Sequence, residues 1–276
     1  KGVTPGDCVH VALANCPAFV AVWLASVRLG AWFVPSDPMS GVDELAAHIA
    51  RTRPMVGFCA STRAGVYRKA CGSIGVVEID ESAVDLDVMG TDPFDAWPVP
   101  GPTDRAAVMF TSGTTGMPKG VINTQRMLCA NQKSVALVWP FIEQAPPVLV
   151  DWLPWNHTFG GNHNFNLILR NGGTMYIDAG KPLPGLIEQS VANLREISPT
   201  VYFNVPVGYS MLLPLLEKDE LLRESFFRNL KLIFYAAAAL SQDLWQRLEQ
   251  VSLLARGEKV PMTSTWGSTA TAPLAT

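Results

Sequence analysis

Short apolar runs alternate with amphipathic helical patterns along this chain, and that alternation leaves few folds open. Cys8–Ala14 reads as a buried strand, and Pro17–Leu29 as a helix with Pro at its start and Gly30 just past its end. Ala31–Pro35, Met55–Cys59 and Gly75–Ile79 follow as strands, with helices at Glu44–Arg51 and Arg63–Ala70. Asp80–Asp104 is rich in Asp, Glu and Pro and has neither period, so it reads as a linker or surface excursion. Beyond it, strands are expected at Ala106–Thr111, Val121–Asn123, Val148–Leu153, Thr174–Ile177, Val201–Asn204 and Leu232–Tyr235. Helices are expected at Gln125–Val138, Asn164–Arg170, Leu183–Ile197, Val207–Leu216 and Ser241–Leu254. Strands separated by single helices predict an α/β fold of two βα subdomains, with mostly parallel sheets packed against helices. The expected division is 1–104 for the first subdomain with its linker and 105–276 for the second.

Composition sets the scale of the core and excludes several functions. Of 276 residues, 48% are hydrophobic and only 16% charged, against a usual charged share of about 25%. A large buried core follows, and disorder or a coiled coil is excluded. The net charge of −3 offers no basic footprint for nucleic acid. No apolar run reaches the 18 or so residues that cross a bilayer, and no signal-like apolar segment opens the chain. Five widely spaced cysteines without a CxxC pair suggest packed thiols in a reducing compartment, hence a cytoplasmic protein. An opening without Met, directly into the turn of Lys1–Asp7, suggests a piece of something longer.

The chemistry is concentrated in Thr111-Ser112-Gly113-Thr114-Thr115-Gly116-Met117-Pro118-Lys119-Gly120. Three glycines let the backbone turn and approach a ligand, four hydroxyls can donate to phosphate oxygens, and Lys119 adds a mobile point charge. A strand before the loop and a helix soon after place it at the carboxyl edge of a sheet, where ligands bind in such folds. The spacing is not GxxxxGK[ST]: Pro118 stands five positions after Gly113, and Gly120 follows Lys119. A kinase-like or GTPase-like reading is therefore poor.

This segment matches throughout the phosphate loop of the adenylate-forming superfamily, which the chain therefore resembles: acyl-CoA synthetases, luciferases and peptide-synthetase adenylation domains. Trp152-Leu153-Pro154-Trp155-Asn156-His157-Thr158-Phe159-Gly160-Gly161-Asn162-His163-Asn164-Phe165-Asn166 is similar to the feruloyl-CoA synthetase branch. The resemblance implies two half-reactions. A carboxylate attacks the α-phosphorus of ATP to give an acyl-adenylate and pyrophosphate, and the thiol of coenzyme A then displaces AMP. It implies Thr111, Ser112, Gly113, Thr114, Thr115, Gly116 and Lys119 at the phosphates, and His157 with Phe159 near the acyl carboxylate. Tyr235 and Ala236, followed by Ala237 and Ala238, occupy the family's Gly-Gly-Ala-Pro-Leu-Ser turn beside adenine and the acyl pocket; each methyl in place of Gly narrows that slot. Trp266-Gly267-Ser268-Thr269-Ala270 matches Tyr-Gly-x-Thr-Glu, with the aromatic near adenine and Thr269 reaching the α-phosphate. Lys119, His157 and Thr269 are the implied catalytic set. His163 reads as a structural residue, because two histidines alone make a poor metal site.

One departure matters. The family's Glu that holds Mg²⁺ is Ala270 here, so magnesium, an implied cofactor alongside ATP and coenzyme A, has no protein ligand at that position and adenylation is expected to slow. The resemblance further implies a truncated large N-terminal domain, lacking the lid that carries a second lysine. The expected activity is an ATP-dependent acid–CoA ligase for an aryl-propenoic (feruloyl-like) or other hydrophobic acid. The competing expectation is a nucleotide-binding remnant or regulatory module.

Overall fold

The computed structural model describes residues 2–83, 99–111 and 118–275. Most of the expected linker, and Ser112 to Met117 of the glycine-rich loop, lie outside the described residues. The chain resolves into two compact units, each assembled from non-contiguous stretches. One takes residues 1–131, 154–158 and 269–273; the other takes 132–153, 159–268 and 274–276.

The first unit runs β1 (Cys8–Ala12), α1 (Pro17–Arg28), β2 (Trp32–Pro35), α2 (Val42–Thr52), β3 (Val56–Ala60), α3 (Ala64–Cys71), β4 (Gly75–Ile79), β5 (Arg105–Thr111) and β6 (Lys119–Thr124). Its six-stranded sheet has the order β4-β3-β1-β2-β5-β6. β1 to β5 are parallel, while β6 runs antiparallel to β5. Every residue of β1 and β3 is buried, as central parallel strands covered on both faces require. Pro17 opens α1, and Gly30, at φ +72°, turns the chain directly into β2. Trp23 stacks on Phe33 at 5.3 Å and 4°, while Phe19 meets Phe33 edge-on at 5.2 Å. Four of the five cysteines are buried, and burial pushes the Cys8 thiol up to about 12 and the Cys59 thiol to about 11. Neither is a thiolate at neutral pH, which fits packed thiols.

The expected boundary at 104/105 does not coincide with the packing. β5 and β6 complete the first sheet, with Phe33 of β2 paired to Ala107. The expected short strand at Val121–Asn123 is six residues long and closes a hairpin, so the glycine-rich loop joins two antiparallel strands. The anticipated helix, α4 (Gln125–Val138), begins only after β6, with Thr124 Oγ1 accepting from Met127 N at 3.3 Å.

The second unit contains the latter part of α4, then α5 (Phe141–Gln144), β7 (Val148–Asp151), α6 (Asn166–Asn171), β8 (Thr174–Ile177), α7 (Ile187–Glu196), β9 (Val201–Asn204), α8 (Pro206–Lys218), α9 (Glu220–Arg228), β10 (Leu232–Tyr235), α10 (Gln242–Arg256), β11 (Met262–Ser264), β12 (Trp266–Gly267) and β13 (Leu274–Ala275). β9, β10 and β11 form a parallel sheet, β7 pairs in parallel with β8, and β12 pairs antiparallel with β13. Thr200 N donates to Val148 O at 2.8 Å, tying the start of β9 to β7. A core of Leu212, Leu213, Leu216, Phe226, Phe227 and Leu248 fills one side of the sheet. Phe159, Phe203 and Phe234 cluster with Trp139 on the other. No helix among the described residues is long and apolar enough to cross a membrane.

Candidate nucleotide and acyl site

The hairpin positions the two described ends of the glycine-rich loop. Thr111, the last residue of β5, is the register partner of Lys119, the first residue of β6. Thr111 Oγ1 also donates to Lys119 O at 3.5 Å. Lys119 is exposed, so its ammonium stays hydrated and free to move toward an anion. At Gly120 the structure explains the missing side chain: a Cβ there would lie 3.1 Å from Val108 Cγ1 and 3.4 Å from the Phe110 ring. Ser112, Gly113, Thr114, Thr115 and Gly116 lie outside the described residues.

Thr269 lies beside the same hairpin. Asn123, fully buried in β6, donates through Nδ2 to Thr269 O at 3.1 Å. This bond fixes the buried Thr269 at the head of a short 3₁₀ turn, Thr269–Thr271. Asn123 was not singled out from the sequence; a lone amide inside an apolar strand was the available signal, since a buried amide needs partners.

His157 belongs to the stretch 154–158 of the first unit. That stretch is anchored by Trp155, which packs on Phe19 at 5.5 Å and donates its backbone N–H to Asn15 Oδ1 at 3.0 Å. His157 N closes a turn onto Pro154 O at 3.1 Å. Its side chain reaches solvent, yet the surrounding protein displaces enough water to lower the imidazole pKa. The ring is therefore neutral at pH 7.

In the second unit, Phe159 opens a π-helical segment, Phe159–Phe165, a form often found at functional sites. Phe159 is buried against Phe203 and Phe234, at 6.1 and 5.7 Å between centroids. Tyr235 ends β10 and meets Trp245 edge-on at 6.0 Å. Ala236 N donates to Asn204 O at 3.4 Å. Ala237 and Ala238 are exposed, and Ala237 adopts φ +75°. Ser241 then caps α10, accepting from Leu244 N at 3.2 Å. Trp266, on β12, is 74% exposed; Gly267 pairs with Leu274, and Ser268 is half-buried.

His163 is fully buried and stacks on Phe234 at 5.6 Å and 20°. Its Nδ1 bonds Asn164 Oδ1 at 2.8 Å, and Asn164 Nδ2 donates to Asp151 Oδ2 at 2.9 Å. Burial lowers His163 to about 4 and raises Asp151 to about 7.

Ala270 is exposed and offers no oxygen beyond its backbone, and among the described residues no group of three or more His, Cys, Asp or Glu could hold a metal ion. Position 270 therefore supplies no carboxylate that fits Mg²⁺.

Comparison with known proteins decides the family. The family model described as AMP-binding enzyme matches residues 1–276. This chain belongs to the AMP-binding enzyme family. It is 26% identical over 272 residues to a 4-coumarate–CoA ligase-like protein of Arabidopsis thaliana, covering 92% of this chain and 46% of the relative. It is 27% identical over 277 residues to a 4-chlorobenzoate–CoA ligase of an Arthrobacter species, covering 98% of this chain and 50% of the relative. A solved malonyl-CoA ligase with methylmalonyl-CoA and AMP bound superposes with a TM-score of 0.72 at 25% identity, covering 93% of this chain and 51% of that one. The chain thus spans about half the length of the relatives it matches.

Proposed function

We propose that this AMP-binding chain is the nucleotide- and acid-binding part of an ATP-dependent carboxylic acid–CoA ligase acting on a hydrophobic, aryl-bearing acid. The carrying observation is the loop 111–120, which unites the family's hydroxyl, glycine and lysine pattern with a hairpin whose ends are in register. In this reading ATP and coenzyme A are co-substrates and the acid is a small planar molecule. The two curated relatives named for 4-coumarate and 4-chlorobenzoate support an aromatic acid.

The first step forms a bond between a carboxylate oxygen and the α-phosphorus, with pyrophosphate leaving. The second forms a thioester, with AMP leaving. Charge accumulates on the phosphates in the first step, so a mobile ammonium at Lys119 and a hydroxyl at Thr269 contribute by offsetting it. Neutral His157 can donate to an acid oxygen without itself needing a counter-ion. On the second unit, Trp266 and the turn from Tyr235 through Ala238 offer aromatic faces and backbone to the base and the acyl group.

ATP–pyrophosphate exchange tests this in the whole protein to which the chain belongs, with 4-coumarate, ferulate, 4-chlorobenzoate and malonate as acids. The aryl acids are expected to drive exchange, and Lys119→Ala to slow it by about 10²-fold, the scale of losing one charge-stabilising donor. Exchange with no carboxylate at all overturns the reading, and exchange with malonate alone overturns the acid class.

A further inference from the structure

We infer that Arg51 and His48, one turn apart on α2, are positioning residues for the phosphate loop, each holding one end of the hairpin from which the loop springs. The inference rests on the proposed function for its consequence, but its geometry stands alone. Arg51 Nη1 donates to Pro118 O at 2.8 Å, at the residue that leads into β6. The His48 ring lies face to face on Phe110, with centroids 3.7 Å apart and 10° between planes, at the residue that precedes Thr111. Residues three apart on a helix share a face, so a single surface of α2 grips both strands of the hairpin.

The grip is set from behind by a buried chain of hydrogen bonds. Tyr67 OH lies 2.7 Å from His10 Nδ1, His10 Nε2 2.9 Å from Ser36 Oγ, and Ser36 Oγ 2.8 Å from His48 Nδ1. The chain can run either way, from Tyr67 through His10 and Ser36 to His48 or in reverse, and both directions give every link a donor and an acceptor. Either direction keeps both imidazoles neutral, as burial favours by lowering the pKa of each. The chain also fixes the rotation of the ring on which Phe110 stacks. A loop whose ends are held in place loses less freedom when its amides converge on phosphates, so binding retains more of its gross energy.

The test compares wild type with Arg51→Ala, Arg51→Lys and Ser36→Ala, the last breaking the chain behind His48. It reads ATP affinity by calorimetry, amide exchange at Lys119 and Gly120 without ligand, and the midpoint of thermal unfolding. Arg51→Ala is expected to weaken ATP by about 3–10-fold, the scale of one lost exposed charge-assisted hydrogen bond. It should also speed exchange at Lys119 and Gly120 with the midpoint unchanged. Arg51→Lys should restore most of both, and Ser36→Ala should reproduce the faster exchange. Wild-type exchange and affinity in Arg51→Ala overturn the inference, as does a loss of affinity that merely tracks a lower midpoint. If wild type itself binds no ATP, the proposed function fails, and amide exchange alone decides whether Arg51 and His48 hold the hairpin.

Discussion

Ala237 carries a backbone conformation that its side chain resists. At φ +75° its Cβ crowds the following carbonyl, at a cost of about 1–2 kcal/mol. Glycine avoids that crowding but loses about 0.5–1 kcal/mol more conformational entropy on folding, so relief wins by a small margin. Ala237→Gly is expected to stabilise the protein by about 0.5–1 kcal/mol in urea unfolding; a loss of stability would show that the turn is not strained. Gly208 is the opposite case. A Cβ there would lie 2.1 Å from Asn204 Oδ1, within the amide that accepts from Val205 N and Trp152 Nε1 and donates to Tyr202 OH. The helix-propensity gain of about 1 kcal/mol cannot offset overpacking and displaced hydrogen bonds. Gly208→Ala should therefore cost about 2–4 kcal/mol, and an unchanged unfolding midpoint would contradict it. The alanine run was legible in the sequence as a departure from a glycine turn. The demand at Gly208 was not, because it comes from an amide that the fold, not local spacing, brings against the helix.

At the scale of elements, legibility followed the short apolar runs in the sequence. Gly75–Ile79, Thr174–Ile177, Val201–Asn204 and Leu232–Tyr235 occur at the expected bounds, because short apolar runs between turn residues have few other uses. α9 was missed although Asp219 caps it, its Oδ1 accepting from Leu222 N at 3.0 Å; that capping residue was the readable sign. β11, β12 and β13 are two or three residues long, too short to carry a period. The π-helical segment has no sequence pattern of its own, and it brings His163 and Asn164 onto the end of β7 at Asp151. There the two titrating groups oppose each other. Asp151 is raised to about 7, so the folded state holds its proton more tightly than the unfolded chain. Its contribution to stability is thus present below about pH 4 and lost as pH rises through about 7. His163 is lowered to about 4, so it penalises the folded state at acid pH and that penalty fades as pH rises through about 6.5. Asp151→Asn removes only the first slope. Its cost relative to wild type, measured by urea unfolding, should shrink steadily from pH 4.5 to 7.5, whereas a constant difference would mean that Asp151 is ionised throughout.

Across the whole molecule, what could not be read was where one packing unit gives way to the other. The acidic, Pro-rich stretch after β4 marks a change in composition, yet β5 returns to the same sheet and pairs with β2. Strand order is a tertiary property, and a surface excursion leaves the same trace as a linker. The interlacing has a consequence for dissection. The first unit borrows 154–158 and 269–273, which fall between the second unit's own stretches of sequence. These stretches bring the buried Trp155 against Phe19 and place the Thr269 carbonyl on Asn123 Nδ2. A fragment of residues 1–131 keeps all six strands of the sheet but leaves Phe19 and Asn123 without those partners. Removing a buried tryptophan costs about 3–5 kcal/mol, and losing one hydrogen bond from a buried amide about 0.5–1.5 kcal/mol. Together these are a large share of the 5–15 kcal/mol that holds a typical domain. The fragment is therefore expected to retain far-ultraviolet ellipticity while binding an apolar dye and unfolding without a sharp transition. The full chain, and to a lesser degree its Trp155→Phe variant, should unfold cooperatively. A fragment as cooperative and as stable as the intact chain would show that the borrowed stretches contribute little to the first unit's core.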